Sequence, residues 1–136
     1  MDIQDYNKQI IDEFRANGGM VGGQFANAQL LLLTTVGVKT GQARVNPLAY
    51  FNDGDRYLIV ASYAGAPTNP PWFFNLVANV TVDVEVGSER FSATARVLAE
   101  PERTEQYKKI AAASAAFAEY ARKTSRAIPV IALRRA

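Results

Sequence analysis

The stretch Leu30–Phe51, LLLLTTVGVKTGQARVNPLAYF, decides how the chain is read. Leu30 to Val36 is the apolar, β-branched run of a buried strand, and Val45 to Phe51 resumes that character, so the two predict a hairpin. The bend between them carries Gly37, Lys39, Thr40, Gly41, Gln42 and Arg44. Two cations, a hydroxyl, an amide and two glycines can turn side-chain donors and backbone N–H groups toward one anion, because glycine lets the backbone come close. An ordinary hairpin end with solvated charges has the same composition, so the loop alone does not choose between them.

Outward from that hairpin the chain reads as short strands with helices at both ends and in the middle. Ile3, Tyr6, Ile10 and Phe14 recur at helical spacing over residues 2–17, and Gly18-Gly19 ends that helix. Its apolar stripe is expected to pack on the domain. A weak peripheral membrane contact is the alternative, opposed by Asp2, Asp5, Asp12 and Glu13 on the polar face. Met20–Gln29 reads as a flexible connection. Asp53-Gly54-Asp55 is a turn into a third strand, Arg56–Ser62, and Pro70-Pro71 opens a short helix that closes near Asn79. Thr81–Val86 alternates apolar and polar, Gly87-Ser88 suits a type II′ turn, and the partner strand Glu89–Leu98 is expected to bury Phe91, Ala93, Ala95 and Val97. One helix is expected from Pro101 to about Lys123, with a stripe of Tyr107, Ile110, Ala111, Ser114, Phe117, Ala118 and Ala121. Ile128–Leu133 is the last strand, with Pro129 at an edge or a start. Six strands joined mainly by hairpins predict a small antiparallel barrel, mainly β with flanking helices, in a single domain over residues 1–136.

Composition narrows the chemistry. The 136 residues are 49% hydrophobic and 21% charged, with neither cysteine nor histidine. Disulfides, thiolate nucleophiles, Cys/His zinc sites and imidazole catalysis are therefore excluded, no metal site is expected, and an enzyme built this way draws its chemistry from a bound cofactor. The polar, mixed-charge N-terminus has no secretory character, so a cytoplasmic, possibly membrane-peripheral, location is expected. Net charge is only +2, yet no Asp or Glu lies between Glu13 and Asp53 or after Glu119. Segregation of that kind favours a local site for an anionic small molecule over a surface coated for nucleic acid, and no nucleic-acid partner is expected.

Thr34-Thr35, Gly37, Lys39-Thr40-Gly41-Gln42, Arg44 and Asn46-Pro47-Leu48 are followed in order by Ala61-Ser62, Gly65-Ala66, Asn69-Pro70, Trp72, Asn75-Leu76, Ala78-Asn79, Arg126 and Ile128-Pro129. This ordered set resembles the deazaflavin-dependent nitroreductase family over about residues 30–133. The resemblance implies a split β-barrel of the FMN-binding-like kind holding coenzyme F420, a deazaflavin with a phosphate and an oligoglutamate tail. It implies hydride transfer from the reduced coenzyme to quinones, nitroaromatics or activated enones. Lys39, Thr40, Gly41, Gln42, Arg44, Asn46, Pro47, Leu48, Ala61, Ser62, Tyr63, Asn69 and Trp72 would then contact the cofactor. Ser114, Phe117 and Tyr120, with the N-terminal helix, would cover the substrate, and Tyr120 and Ser62 are the candidate catalytic groups. FMN is the less favoured cofactor, since both molecules are phosphorylated. A nitro-drug-activating branch of the family has a lysine in place of Tyr63 and tyrosines in place of Ser114 and Phe117, so quinones or enones are expected ahead of bicyclic nitroimidazoles. Either a monomer or a homodimer fits the sequence.

Overall fold

A computed structural model of the protein describes residues 3–22 and 29–136. The described residues form seven strands, β1 (Leu30–Val36), β2 (Ala43–Ala49), β3 (Phe51–Asp53), β4 (Arg56–Val60), β5 (Thr81–Val86), β6 (Glu89–Val97) and β7 (Val130–Arg135), and four α-helices. The helices are α1 (Ile3–Ala16), α2 (Pro71–Ala78), α3 (Glu102–Ala113) and α4 (Ala115–Lys123). The strands form one sheet in the order β2-β1-β5-β6-β7-β4-β3, with every pair antiparallel. Its two edge strands, β2 and β3, are separated in the chain by Tyr50 alone. Because a single residue spans so little distance, the sheet has to curl until its edges approach. No ladder joins β2 to β3 among the described residues, so the barrel stays split along that seam.

Curling gives the sheet an inside and an outside, and residue parity along each strand decides which residues go where. Leu31 and Leu33 face inward with Ile59, Ala61, Val84, Ala93, Ile131 and Leu133, around Trp72 and Leu76 of α2. Leu30 and Leu32 face outward and are covered by Ile10 and Phe14 of α1. On the opposite side of the curl, Leu58, Val60, Val130 and Ala132 pack under Tyr107 and Ile110 of α3. Where β1 is covered on both faces, at Leu30–Leu33, it is apolar without a break, whereas β5 keeps a wetter face with Asp83 and Glu85.

The expected strand over 45–51 is two strands, because the Tyr50 N–H donates to the Gln29 carbonyl at 3.1 Å and the chain changes sheet edge there. The expected third strand ends two residues early, at Val60. Val97 lies 39% exposed while Leu98 is buried, since the Leu98 N–H turns to the Val130 carbonyl and carries its side chain beneath α3. The single helix expected from Pro101 to Lys123 breaks at Ser114, whose backbone is extended (φ −139°, ψ 113°). A run of alanines around that serine offers little side-chain packing to hold the helix straight, and the break lets Phe117 meet Phe51 edge-on at 5.5 Å. Gly87 alone takes positive φ (59°) in its turn, as a type II′ hairpin asks. α1 is found where the sequence places it, but most of the connection expected over Met20–Gln29, like Asp2 before α1, lies outside the described residues.

Candidate active site

At the seam, where the barrel does not close, lies a cleft of about 240 Å³. β2 supplies Pro47, Leu48 and Ala49, the end of β4 and the turn after it supply Val60, Ser62, Tyr63 and Ala64, α2 supplies Pro70 and Trp72, and α4 supplies Phe117 and Tyr120. None of these residues carries a formal charge. The walls are aromatic and aliphatic, with three hydroxyls, on Ser62, Tyr63 and Tyr120, as the polar side-chain groups. Such a slot suits a flat conjugated ring that is orientated by a few hydrogen bonds. Phe117 and Tyr120 meet edge-on at 5.5 Å, and the Tyr107 hydroxyl, its pKa raised by burial, donates to the Phe117 carbonyl at 2.6 Å. Helix α4 is thereby fastened over the slot.

The wall after β4 is a tight turn in left-handed backbone, with φ of 49° at Tyr63, 55° at Ala64 and 81° at Gly65. For the two residues that carry a Cβ this costs on the order of 1–2 kcal/mol each. A side chain at Gly65 would bring its Cβ 2.9 Å from the Cβ of Lys123, so only glycine lets α4 sit this close. Arg126 braces the turn. Its Nε donates to the Ala66 carbonyl at 2.9 Å, Nη1 to Asn69 Oδ1 at 2.6 Å, and Nη2 to the carbonyls of Ala61 and Ser62 at 3.1 and 2.9 Å. Burial pulls this guanidinium below its ordinary pKa.

The basic loop lies further along β2. Arg44 precedes Leu48 by four residues on the same strand, a rise of about 13 Å. Lys39, Thr40, Gly41, Gln42 and Arg44 are all exposed. The loop's backbone is less available to a ligand than the sequence analysis expects: Gly37 donates to Gln42, Gly41 to Gly37, Gln42 to the Thr40 hydroxyl, and Val38 to Asn75 Oδ1. An anion arriving here therefore meets the side chains of Lys39 and Arg44 more than a nest of N–H groups. Asn75, buried on α2, is the loop's anchor, since its Nδ2 also donates to Thr35 Oγ1 at 3.1 Å.

Of the residues singled out in the sequence, Pro47, Leu48, Ser62, Tyr63, Trp72, Phe117 and Tyr120 meet in the cleft. Asn46 is half-buried beside them on β2. Ala61 is buried in the core beneath the wall, its N–H donated to Pro129, and Asn69 faces Arg126. Ser114 marks the helix break and does not line the cleft, and neither does any described residue of α1, whose Ile10 and Phe14 are buried on β1. Asn75 and Arg126 stand in the ordered motif without an assigned role, and the structure makes both of them organisers. Each had a signal: a lone amide in the apolar helix PWFFNLVA, and an arginine with no acid after Glu119 to pair with. A smaller cavity, about 170 Å³, lies against α3 and α4 beside Arg103, Tyr107 and Lys108. The donors of Arg103 are already committed there to Glu100, Thr104 and the Ile128 carbonyl.

A curled antiparallel sheet, open along one seam with a neutral aromatic slot at the opening, defines a split-barrel protein. The same architecture occurs in a solved F420-H2-dependent reductase, with a TM-score of 0.70 and 39% identity over 78% of this chain and 94% of that one. It also occurs in a solved domain-swapped dimer, with a TM-score of 0.73 and 34% identity over 98% of this chain and all of that one. An F420H(2)-dependent quinone reductase of Mycobacterium tuberculosis is 40% identical over 126 residues, 90% of this chain and 85% of its own. Residues 7–135 match the model of the F420H(2)-dependent quinone reductase family, and the chain belongs to that family.

Proposed function

We propose that the protein is an F420H2-dependent reductase whose cleft holds the deazaflavin ring and whose physiological acceptor is a quinone. The observation that carries this reading is the division of labour along β2, with an uncharged aromatic slot at Pro47–Ala49 and two exposed cations at Lys39 and Arg44. A molecule with a flat conjugated head and an anionic tail matches both ends, and coenzyme F420 has that form. When bound, the reduced coenzyme would supply a hydride, that is two electrons and one of the two protons that a quinone takes up on reduction.

The remaining work falls to the chain. Lys39 and Arg44 hold the phosphate and tail carboxylates by charge-assisted hydrogen bonds, with Thr40, Gly41 and Gln42 shaping the loop. Asn46, Pro47 and Leu48 flank the ring on one side, and Ser62 and Tyr63 on the other, with Ala61 and Asn69 supporting that second wall from behind. Trp72 closes the slot from α2. Phe117 and Tyr120, both half-buried, roof the slot and leave space for a flat acceptor. Of the two phenols that line the slot Tyr63 is half exposed, and Tyr120, under the roof of α4, donates its proton to the quinone oxygen as that atom gains negative charge and regains one from water. The 34% identical domain-swapped dimer supports a homodimer for this chain, and among the described residues no helix is long and apolar enough to cross a membrane.

The test is a fluorescence titration of the purified protein with F420 and with FMN, followed by turnover of F420H2 against menadione. Saturable F420 binding, weaker FMN binding and coenzyme oxidation above background are expected. Tight FMN binding without F420 binding refutes the reading.

A further inference from the structure

We infer that Arg126 is a positioning residue: by tying together the two limbs of the turn at Ser62–Asn69 it fixes the wall against which ring and acceptor are aligned, an inference that rests on the function proposed above. The four acceptors of its guanidinium straddle the turn. Ala61 and Ser62 lie before the left-handed residues, and Ala66 and Asn69 lie after them. A planar fork with fixed donor directions can bridge four oxygens at once, which the single ammonium of a lysine cannot reproduce. No carboxylate is among those acceptors. The cation is held by oriented carbonyl dipoles and an amide oxygen, an arrangement that fixes backbone position more than it neutralises charge.

What the brace holds is poised to relax. Tyr63, Ala64 and Gly65 are all left-handed, and within the turn Gly65 donates to the Ser62 carbonyl at 2.9 Å and Ala66 to the Tyr63 carbonyl at 3.0 Å. Released from Arg126, the two residues with a Cβ would be drawn back toward ordinary backbone. Ser62, Tyr63 and Ala64 line the cleft, so a shift there misaligns the ring. Arg126 also follows α4 in the chain, three residues beyond Lys123, and α4 carries Phe117 and Tyr120 over the same cleft. One side chain thus sets the spacing of wall and roof. Anchorage of the coenzyme's tail is separate, because Lys39 and Arg44 stand at the far end of β2.

The inference is tested in Arg126→Lys, with Asn69→Ala as a milder variant that removes one acceptor only. In Arg126→Lys, amide hydrogen exchange at Gly65 and Ala66 should quicken at least about tenfold while protection at Ile131 stays unchanged. With F420H2 and menadione, kcat should fall about twentyfold or more while F420 affinity shifts less than about fivefold. Asn69→Ala should move exchange and kcat the same way by a smaller factor and add little in the Arg126→Lys background. Unchanged exchange at Gly65 and Ala66 overturns the inference, as does an Arg126→Lys enzyme within about twofold of the parent kcat. Multiplying effects of the two substitutions overturn it as well. Quickened exchange in Arg126→Lys, beside a parent protein that neither binds F420 nor oxidises F420H2, supports the brace and rejects the functional reading instead.

Discussion

The two ends of the proposed ligand path are built by opposite means. The cleft is walled by side chains packed against one another, its turn fastened by Arg126 and its roof by Tyr107. The loop at Lys39–Arg44 is exposed, commits its Gly41 and Gln42 N–H groups internally, and offers two cations. Rigid neutral walls align a ring but add little long-range attraction, whereas solvated charges attract strongly and align little. The difference teaches that affinity and geometry are separable here, and each can be removed while the other is kept.

The largest effect is expected at the charged end. Replacing Lys39 and Arg44 together with alanine removes two charge-assisted contacts to the tail and should weaken F420 binding at least about a hundredfold. Folding should be nearly unaffected, because exposed charges of this kind contribute less than about 1 kcal/mol. Calorimetric titration beside a thermal melt reads both, and affinity that survives the double substitution would place the tail elsewhere. At the other end, Tyr120→Phe keeps the packing against Phe117 and loses only the hydroxyl. Its kcat should drop about tenfold to a hundredfold with F420 affinity unchanged, since water can reach this half-buried site and replace part of the proton supply. A variant as fast as the parent assigns Tyr120 to packing.

Asn75 joins the two regions, because it is buried on the helix that contributes Trp72 to the cleft while its amide holds the start of the loop. Asn75→Ala strands Thr35 and Val38 and should cost about 2 kcal/mol of stability in urea unfolding, together with a severalfold loss of F420 affinity. Loss of stability with affinity intact would show that the loop needs no anchor. The smallest effect concerns the far end of β4. Arg56, buried, bonds Asp53 and Glu102 at 2.7 Å each and so ties the β3–β4 turn to α3. The hydrogen bond from Arg56 holds the Glu102 carboxyl below its usual range. A carboxyl depressed in this way stabilises the fold above its ordinary pKa of 4.5 and ceases to do so as pH falls through the lower folded value. Stability measured from pH 6 down to pH 3 should therefore fall less steeply in Glu102→Gln than in the parent, and an identical acid limb would deny the bridge a role.

Much of this was legible in the residues. Parity and turn chemistry placed β1, β5, β6, α1 and α2, because each has a strong period or a glycine or proline at its boundary. The breaks at Tyr50 and Ser114 were not legible. Tyr50 is an ordinary strand residue whose role comes from the topology, which puts its two neighbouring strands at opposite edges. Ser114 interrupts a helical pattern that its own neighbours continue. In the candidate site, the cleft residues could be named from an ordered motif, while the bonds of Arg126 to four oxygens up to 65 residues earlier depend on long-range packing that no local pattern encodes.

The central claim, that a neutral slot and a basic loop on one strand hold the head and tail of one coenzyme, is tested most directly by a crystal structure of the protein with F420. The account predicts the deazaflavin ring between Leu48, Ser62 and Tyr120, with phosphate or tail carboxylate oxygens within hydrogen-bonding reach of Lys39 and Arg44. A ring bound outside the seam, or a tail leading away from those two cations, would contradict it.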